Sequence, residues 1–389
     1  MSRFLTFIAI AFALLAGIHW FIWARLVRDP RWPAPWTGVA TVCLILLAVF
    51  VPAAMFLGRA HPQLGRVLAW PAFVWMGVMF LLLCILVSID IVRGIASLAR
   101  WASDAGPLDE QRRTFIARLT AGAATAVVAG MTGVALRSAL SAIAVRPLRV
   151  QLSRLPAGRH GFTIAQLTDI HVGPTIGRSF IEEIVRKTNA LEPDLIAITG
   201  DLVDGSVSDL RDAVAPLADL RAKHGVFFVT GNHEYFSDAD GWTNELSRLG
   251  IRVLKNERVA IGQGEDAFDL AGVEDRSAAR FGGLTPAAAT ERALAGRDRT
   301  RERVLLAHQP RSLMEAAQYG VGLQLSGHTH GGQVWPFGYL VRLNQPFVAG
   351  LYRFGDSQIY VSRGTGYWGP PMRLGAPAEI THITLESAA

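Results

Sequence analysis

Five short motifs in this chain end on side chains that bind metals and move protons. They are Asp169-Ile170-His171, Gly200-Asp201-Leu202-Val203-Asp204, Gly231-Asn232-His233-Glu234, a lone His308, and Gly327-His328-Thr329-His330-Gly331-Gly332-Gln333. Five of the ten histidines fall in these places, a share that chance does not readily give. The donors are oxygen and nitrogen without a thiolate, a set that suits Mn, Fe, Zn, Co or Ni better than a structural zinc or calcium site. Aspartate supplies charge and can bridge two ions, imidazole supplies a directional nitrogen, and Asn232 a neutral oxygen. Two ions about 3.5–4 Å apart lower the pKa of a shared water from ~15.7 toward 7 and clamp a phosphoryl group between them. Singly, each motif has a plainer reading: Asp-x-His as a turn beside a satisfied histidine, Gly-Asn-His-Glu as a helix start. Asp204 and Glu234 read as groups that orient a ligand or are merely solvated.

What places them is a series of short apolar runs. Each motif directly follows one: Phe162–Thr168, Asp194–Thr199, Val226–Thr230, Val304–Ala307 and Leu323–Ser326 read as buried strands. Helical stretches intervene at Arg178–Leu191, Ser208–Ala222, Trp242–Leu249, Pro286–Leu294 and Arg311–Tyr319, with Thr285 and Pro286 forming a good helix start. Alternating strand and helix predicts an α/β domain, and the carboxyl ends of its strands form the crevice where ligands bind. Five strands thus deliver carboxylate, imidazole and carboxamide to one edge.

Taken in order, these motifs resemble the calcineurin-like metallophosphoesterase superfamily. The resemblance covers about residues 160–389, including the tail Ser362-Arg363-Gly364-Thr365-Gly366-Tyr367-Trp368-Gly369-Pro370-Pro371 and a closing strand Glu379–Leu385. That tail is similar to the bacterial membrane-associated branch related to the YkuE and YaeI phosphodiesterases; the apolar segments ahead of it resemble transmembrane proteins with a metallophosphoesterase domain. The resemblance implies a four-layer α/β/β/α sandwich and a binuclear metal centre. One ion would take Asp169, His171, Asp201 and His330; the other would share Asp201 and take Asn232, His308 and His328. His233 would be the catalytic residue, stabilising developing charge or protonating the leaving oxygen, and metal-activated hydroxide would attack phosphorus. The implied activity is that of a metal-dependent phosphoric ester hydrolase. Arg363, Tyr367 and Trp368 either line the substrate mouth or pack a loop.

The front of the chain is solvated differently. Half of the 389 residues are hydrophobic and only 18% charged, below the ~25% typical of soluble domains. Four windows lack ionisable side chains or nearly so: Phe4–Ala24, Trp32–Gly58, Val67–Ile89 and Leu119–Leu136, where a membrane helix needs about 20 apolar residues. The expected organisation is a transmembrane region of about four helices at 1–140, a linker at 141–160 and the metallophosphoesterase domain at 161–389. His19, inside the first window, reads as a packed, bundle-facing residue. Residues 1–150 hold 14 basic against 5 acidic side chains, and residues 151–389 hold 24 against 27. The basic excess therefore belongs to the membrane half, and no nucleic-acid partner is expected.

Arginines 25, 28, 31, 93, 100, 112, 113 and 118 share one side, and Arg3, Arg59 and Arg66 the other, joined by Arg137, Arg146 and Arg149 beyond the fourth span. That bias favours an inner-membrane, multi-pass protein whose catalytic domain lies outside the cytoplasm. Gln111-Arg112-Arg113-Thr114-Phe115-Ile116-Ala117 resembles a twin-arginine export signal, or is a pair of ordinary arginines beside a span. The expected substrate is a phosphorylated small molecule or lipid. The alternative is a non-enzymatic sensor or scaffold that binds metal or phosphate.

Overall fold

The computed structural model describes residues 2–388 apart from 105 and 107. The chain divides into two compact units, Met1–Arg137 with Gly369–Met372, and Ser138–Trp368 with Arg373–Ala389.

The first unit is four helices: α1 (Ser2–Trp23), α2 (Ala34–Ala60), α3 (Pro62–Ala102) and α4 (Glu110–Leu140). Within or running on from them, Ile8–Arg28, Ala34–Leu57, Gln63–Ala102 and Glu110–Leu140 are each long and apolar enough to cross a bilayer. Large aliphatic side chains such as Leu14, Val42, Leu46 and Val67 point outward, as a lipid solvent allows and water does not. Polar groups turn inward. His19 is buried as expected; its Nε2 accepts from Trp75 Nε1 at 3.0 Å, so its Nδ1 donates to Leu15 C=O at 2.9 Å. At one end Arg25 pairs with Asp90 at 2.8 Å and Asp29 at 2.6 Å, Arg31 pairs with Glu110, and Arg118 donates to Pro30 C=O. These bonds tie residues 24–31 to the C-terminal half of α3 through Asp90 and to the first turns of α4 through Glu110 and Arg118. Gln111–Ala117 lies in the opening turns of α4.

The second unit runs β1 (Ala144–Leu152), β2 (Thr163–Leu167), α5 (Arg178–Asn189), β3 (Leu195–Thr199), α6 (Val207–Val214), β4 (Val226–Val229), α7 (Asn232–Ser237), α8 (Ala239–Arg248), β5 (Arg252–Val253), β6 (Glu257–Ile261) and β7 (Phe268–Gly272). It continues through α9 (Pro286–Leu294), β8 (Arg303–Leu306), α10 (Leu313–Ala316), β9 (Leu323–Ser326), α11 (Gly338–Val341), β10 (Gly350–Phe354), β11 (Ser357–Val361) and β12 (Glu379–Ser387). The strands form two six-stranded mixed sheets, ordered β1-β12-β2-β3-β4-β5 and β10-β11-β9-β8-β7-β6.

Period-two alternation makes the layers. Ile164, Leu195, Ala197, Phe227 and Val229 of the first sheet meet Phe268, Leu270, Val304, Leu306 and Leu325 of the second in one core between the sheets. The opposite faces, Ala165, Ile196, Ile198 and Phe228 on one sheet and Ala271 and Leu305 on the other, pack under helices: Ile181 and Ile184 of α5 and Leu246 of α8, then Ala293 and Leu294 of α9. The result is helix, sheet, sheet, helix: a four-layer α/β/β/α sandwich.

One expectation changes here. Residues 141–160 are not simply a linker, because β1 pairs in parallel with β12 from Ala144↔Glu379 to Leu152↔Ser387. Val150 and Leu152 from it enter the inter-sheet core. Pro147 sits within the strand, which an edge position tolerates because no ladder bond is lost on the open side.

Candidate metal centre

The five expected strands end where the motifs begin, and the turns that follow are conformationally costly. Asp169, His171, Asp201, His328 and His330 all have φ between 50° and 68°, the left-handed region that non-glycine residues avoid. Such residues cost of order 1–3 kcal/mol each and persist only where the surroundings over-determine them. Glycine lets the backbone crowd the ligands: a Cβ on Gly327 would stand 2.0 Å from Asp169 Oδ2, and one on Gly231 2.2 Å from Asp201 Oδ1.

Asp201 lies at the middle. Its Oδ2 is 3.1 Å from His308 Nε2, 3.9 Å from His171 Nε2 and 4.0 Å from His233 Nε2, while its Oδ1 accepts from the His233 backbone N–H at 2.9 Å. On one side His171 Nε2 and His330 Nε2 approach to 3.0 Å, with Asp169 Oδ1 3.3 Å from the latter. On the other His328 Nδ1 is 3.2 Å from His308 Nε2. Three sets of ligand atoms lie close enough to hold a cation: Asp169–His171–His330, Asp201–His308–His328 and His171–Asp201–His233. The first contains three of the four residues expected at one ion, without Asp201, and the second three of the four expected at the other, without Asn232; the third brings His233 within reach as well.

Hydrogen bonding shows that this cluster wants positive charge. His308 Nδ1 lies 2.8 Å from Thr199 C=O, which can only accept, so Nδ1 carries a proton and Nε2 is the nitrogen turned to the Asp201 carboxylate, 3.1 Å away, where a proton or a metal ion is needed between them. His171 repeats the logic: Nδ1 donates to Asp204 Oδ1 at 3.1 Å and Nε2 faces His330. Asn232 Oδ1 is buried without a hydrogen-bond donor. Imidazole nitrogens crowded against one another and against carboxylates, with an orphaned carboxamide oxygen, are a poor protein interior and a good cation site. The residues present therefore fit divalent metal.

The same crowding perturbs ionisation in the metal-free protein. Burial, reinforced by Asp201, raises Asp169, although His308 pulls the other way. Burial also opposes ionisation of Asp201, but His308, His233 and His171 overcome it and hold the carboxyl well below its usual range. His308 rises well above neutral imidazole despite burial, drawn by Asp201 and Asp169. His328 drops to about 3 through burial and the neighbouring His308. His233 rises to about 9: burial lowers it, but the hydrogen bond to Asp204 and the charges of Asp201, Asp204 and Glu234 prevail.

Asp204 orients imidazoles and is not merely solvated. Its Oδ1 takes both His171 Nδ1 and, at 2.5 Å, His233 Nδ1, so one carboxylate orients a candidate ligand and the candidate acid. Against burial, these imidazoles lower it to about 2. Glu234 is fully buried and accepts from the backbone N–H groups of Gly231, Asp201 and Leu202 at 2.6, 3.0 and 2.8 Å, tying the β3 and β4 turns together. Arg363 is turned to Glu379 at 3.6 Å, and Tyr367 is packed with its hydroxyl on Thr175 C=O. Trp368 is exposed and meets the His233 ring edge-on at 5.5 Å. Gln333 closes the Gly-His-Thr-His-Gly-Gly-Gln motif without an assigned role, and Arg373 lies outside every motif. Gln333 clasps the Trp368 backbone through two 2.9 Å bonds, and Arg373, wholly buried, reaches within 3.4 Å of His330 Nδ1.

A two-sheet sandwich whose strand ends gather this donor set defines a metal-dependent phosphoester hydrolase, and residues 162–332 match the family model of calcineurin-like phosphoesterases. The bovine "transmembrane protein with metallophosphoesterase domain" is 36% identical over 395 aligned residues, covering 96% of this chain and 87% of that one. An uncharacterized metallophosphoesterase of Helicobacter pylori is 42% identical over 226 residues (57% of this chain, 59% of that one), and YkuE of Bacillus subtilis is 31% identical over 248 (61% and 84%). The chain belongs to the calcineurin-like metallophosphoesterase family, with homologues named as transmembrane proteins.

Proposed function

We propose that this chain is a membrane-anchored, binuclear phosphoesterase acting on phosphoester or pyrophosphate bonds, with Asp169, His171, Asp201 and His330 at one ion and Asp201, Asn232, His308 and His328 at the other. The observation that carries this is Asp201, whose single Oδ2 faces imidazoles from both ligand groups. Two divalent ions bound there supply a water nucleophilic at neutral pH and neutralise charge on the phosphoryl oxygens. The chain's own residues do the rest. Asp204 accepts from His233 Nδ1, which orients the ring and leaves Nε2 to carry the transferable proton. His233 then gives that proton to the departing oxygen as general acid.

Phe236 and Trp368 flank His233 at 5.6 and 5.5 Å, and Phe281 lies 6.3 Å beyond Phe236, all three well exposed. An apolar rim beside the acid favours substrates with a lipid leaving group over small hydrophilic esters. The arginine distribution favours an extracytoplasmic domain in the inner membrane. The test is turnover by the full chain in nanodiscs, with Mn or Zn, of aryl phosphodiesters, aryl monoesters and lipid pyrophosphates. Metal-dependent turnover that Asp201→Ala abolishes supports the reading. Bound metal without turnover across the panel assigns the chain to the sensor class.

A further inference from the structure

Directly after the His330 turn the chain displays an apolar face that the reaction does not use. Bonds from Tyr339 N–H to Pro336 C=O through Gln345 N–H to Val341 C=O make residues 336–345 one short helical course around α11. Tyr339, Leu340 and Leu343 recur along it at helical spacing and are 64, 56 and 82% exposed, and Trp335, directly before it, is 53% exposed. The course is braced at both ends by the metal turns. Gly332 lets it close against the His330 turn, since a Cβ there would stand 2.5 Å from Gly338 Cα. Gln345, buried, contacts Gln309 beside His308 and accepts from Arg311 N–H at 3.2 Å. It is a rigid wedge and not a loose loop.

Its charge is as biased as its apolarity. Residues 331–375 contain four arginines and one acidic residue, Asp356, within a half-chain whose overall balance is acidic. Among the described residues, Arg342 on the wedge and Arg353 on the following strand are exposed and have no acidic partner. Aromatic and leucine side chains beside unpaired arginines fit an interface of acyl chains under anionic headgroups. A domain covalently continuous with four membrane-crossing helices meets such a surface at high effective concentration.

We infer that the 335–343 wedge inserts into an anionic lipid surface and thereby presents the metal centre to phosphorylated groups at that surface. The inference rests on the membrane-anchored part of the reading above and not on catalysis. It is tested with the full chain carrying Cys43→Ala and Cys84→Ala, a single nitroxide at Tyr339→Cys, Leu343→Cys or, as an exposed control, Glu192→Cys, in phosphatidylcholine–phosphatidylglycerol vesicles. Collision with dissolved oxygen and with a water-soluble nickel chelate is compared by electron paramagnetic resonance. The oxygen-to-nickel ratio at 339 and 343 should exceed that at 192 severalfold, with or without metal in the site. Equal ratios overturn the inference. So does protection at 343 that vanishes on dilution with unlabelled protein and comes with spin–spin broadening, which would make the face a contact between copies. Because no turnover is read, loss of the phosphoesterase reading leaves the result standing.

Discussion

Asp201 and His233 face each other across 4.0 Å with different duties. Removing Asp201 or His328 takes a donor from the cation cluster, so Asp201→Ala and His328→Ala should abolish turnover and lower bound metal. His233→Ala should cost about 10²–10⁴-fold in kcat with metal content unchanged; if its metals are lost, His233 is a ligand, as the His171–Asp201–His233 grouping also allows. Asp204→Asn separates orientation from ligation. It should move the alkaline limb of the kcat–pH profile to lower pH, because the charge that raises His233 is gone, and weaken metal affinity about 10–100-fold through His171. Linkage gives the metal-free protein the same signature. His233 is raised from about 6.5 to about 9 on folding, so its contribution to stability is complete below ~6.5 and is lost as pH rises through ~9. Melting temperatures across pH 6–10 should show that fall in the wild type and a smaller one in Asp204→Asn, roughly as linkage predicts.

Elements explain why those residues can be held so. Glu234, in the first turn of α7, accepts from four backbone N–H groups, those of Gly231, Asp201, Leu202 and Val203, in two strand-end turns. Glu234→Gln turns an amide NH₂ toward donors and should cost about 1–3 kcal/mol in unfolding free energy, with turnover falling because both turns loosen. The central strands were legible because each is a continuous apolar run that stops at a polar motif, and β8, β9 and α9 lie within a residue of where the pattern puts them. The missed strands lack that signature. β1 is interrupted by Arg146, Pro147 and Arg149, and β7 carries Asp269 inside, where Arg258 and Arg301 offset it at 3.6 and 3.7 Å. β10 and β11 flank Gly355-Asp356, a two-residue hairpin signal that reading by strand–helix alternation passes over. A fragment beginning at 161 lacks Val150 and Leu152, each worth roughly 1.5–3 kcal/mol against a typical total of 5–15. Denaturant titration should therefore show 141–388 unfolding cooperatively and 161–388 markedly less stable or aggregated.

At the scale of the whole molecule, one chain joins four helices long and apolar enough to cross a bilayer to a two-sheet metallophosphoesterase sandwich. The helices were plain from their apolar length, and the clustering of Asp and His side chains from five motifs in order. The network among the ligands was not: Asp204 bridging two imidazoles and Gln333 clasping Trp368 arise from contacts across 33, 29 and 35 residues of sequence, which local pattern does not encode. The arginine bias predicts that a topology reporter fused after Leu385 is active only outside the cytoplasm. The most direct test of the central claim is elemental analysis of the correctly folded full chain after exposure to manganese, iron and zinc. Two ions per polypeptide, falling on Asp201→Ala, is the predicted result; a wild-type chain that never binds more than one contradicts it.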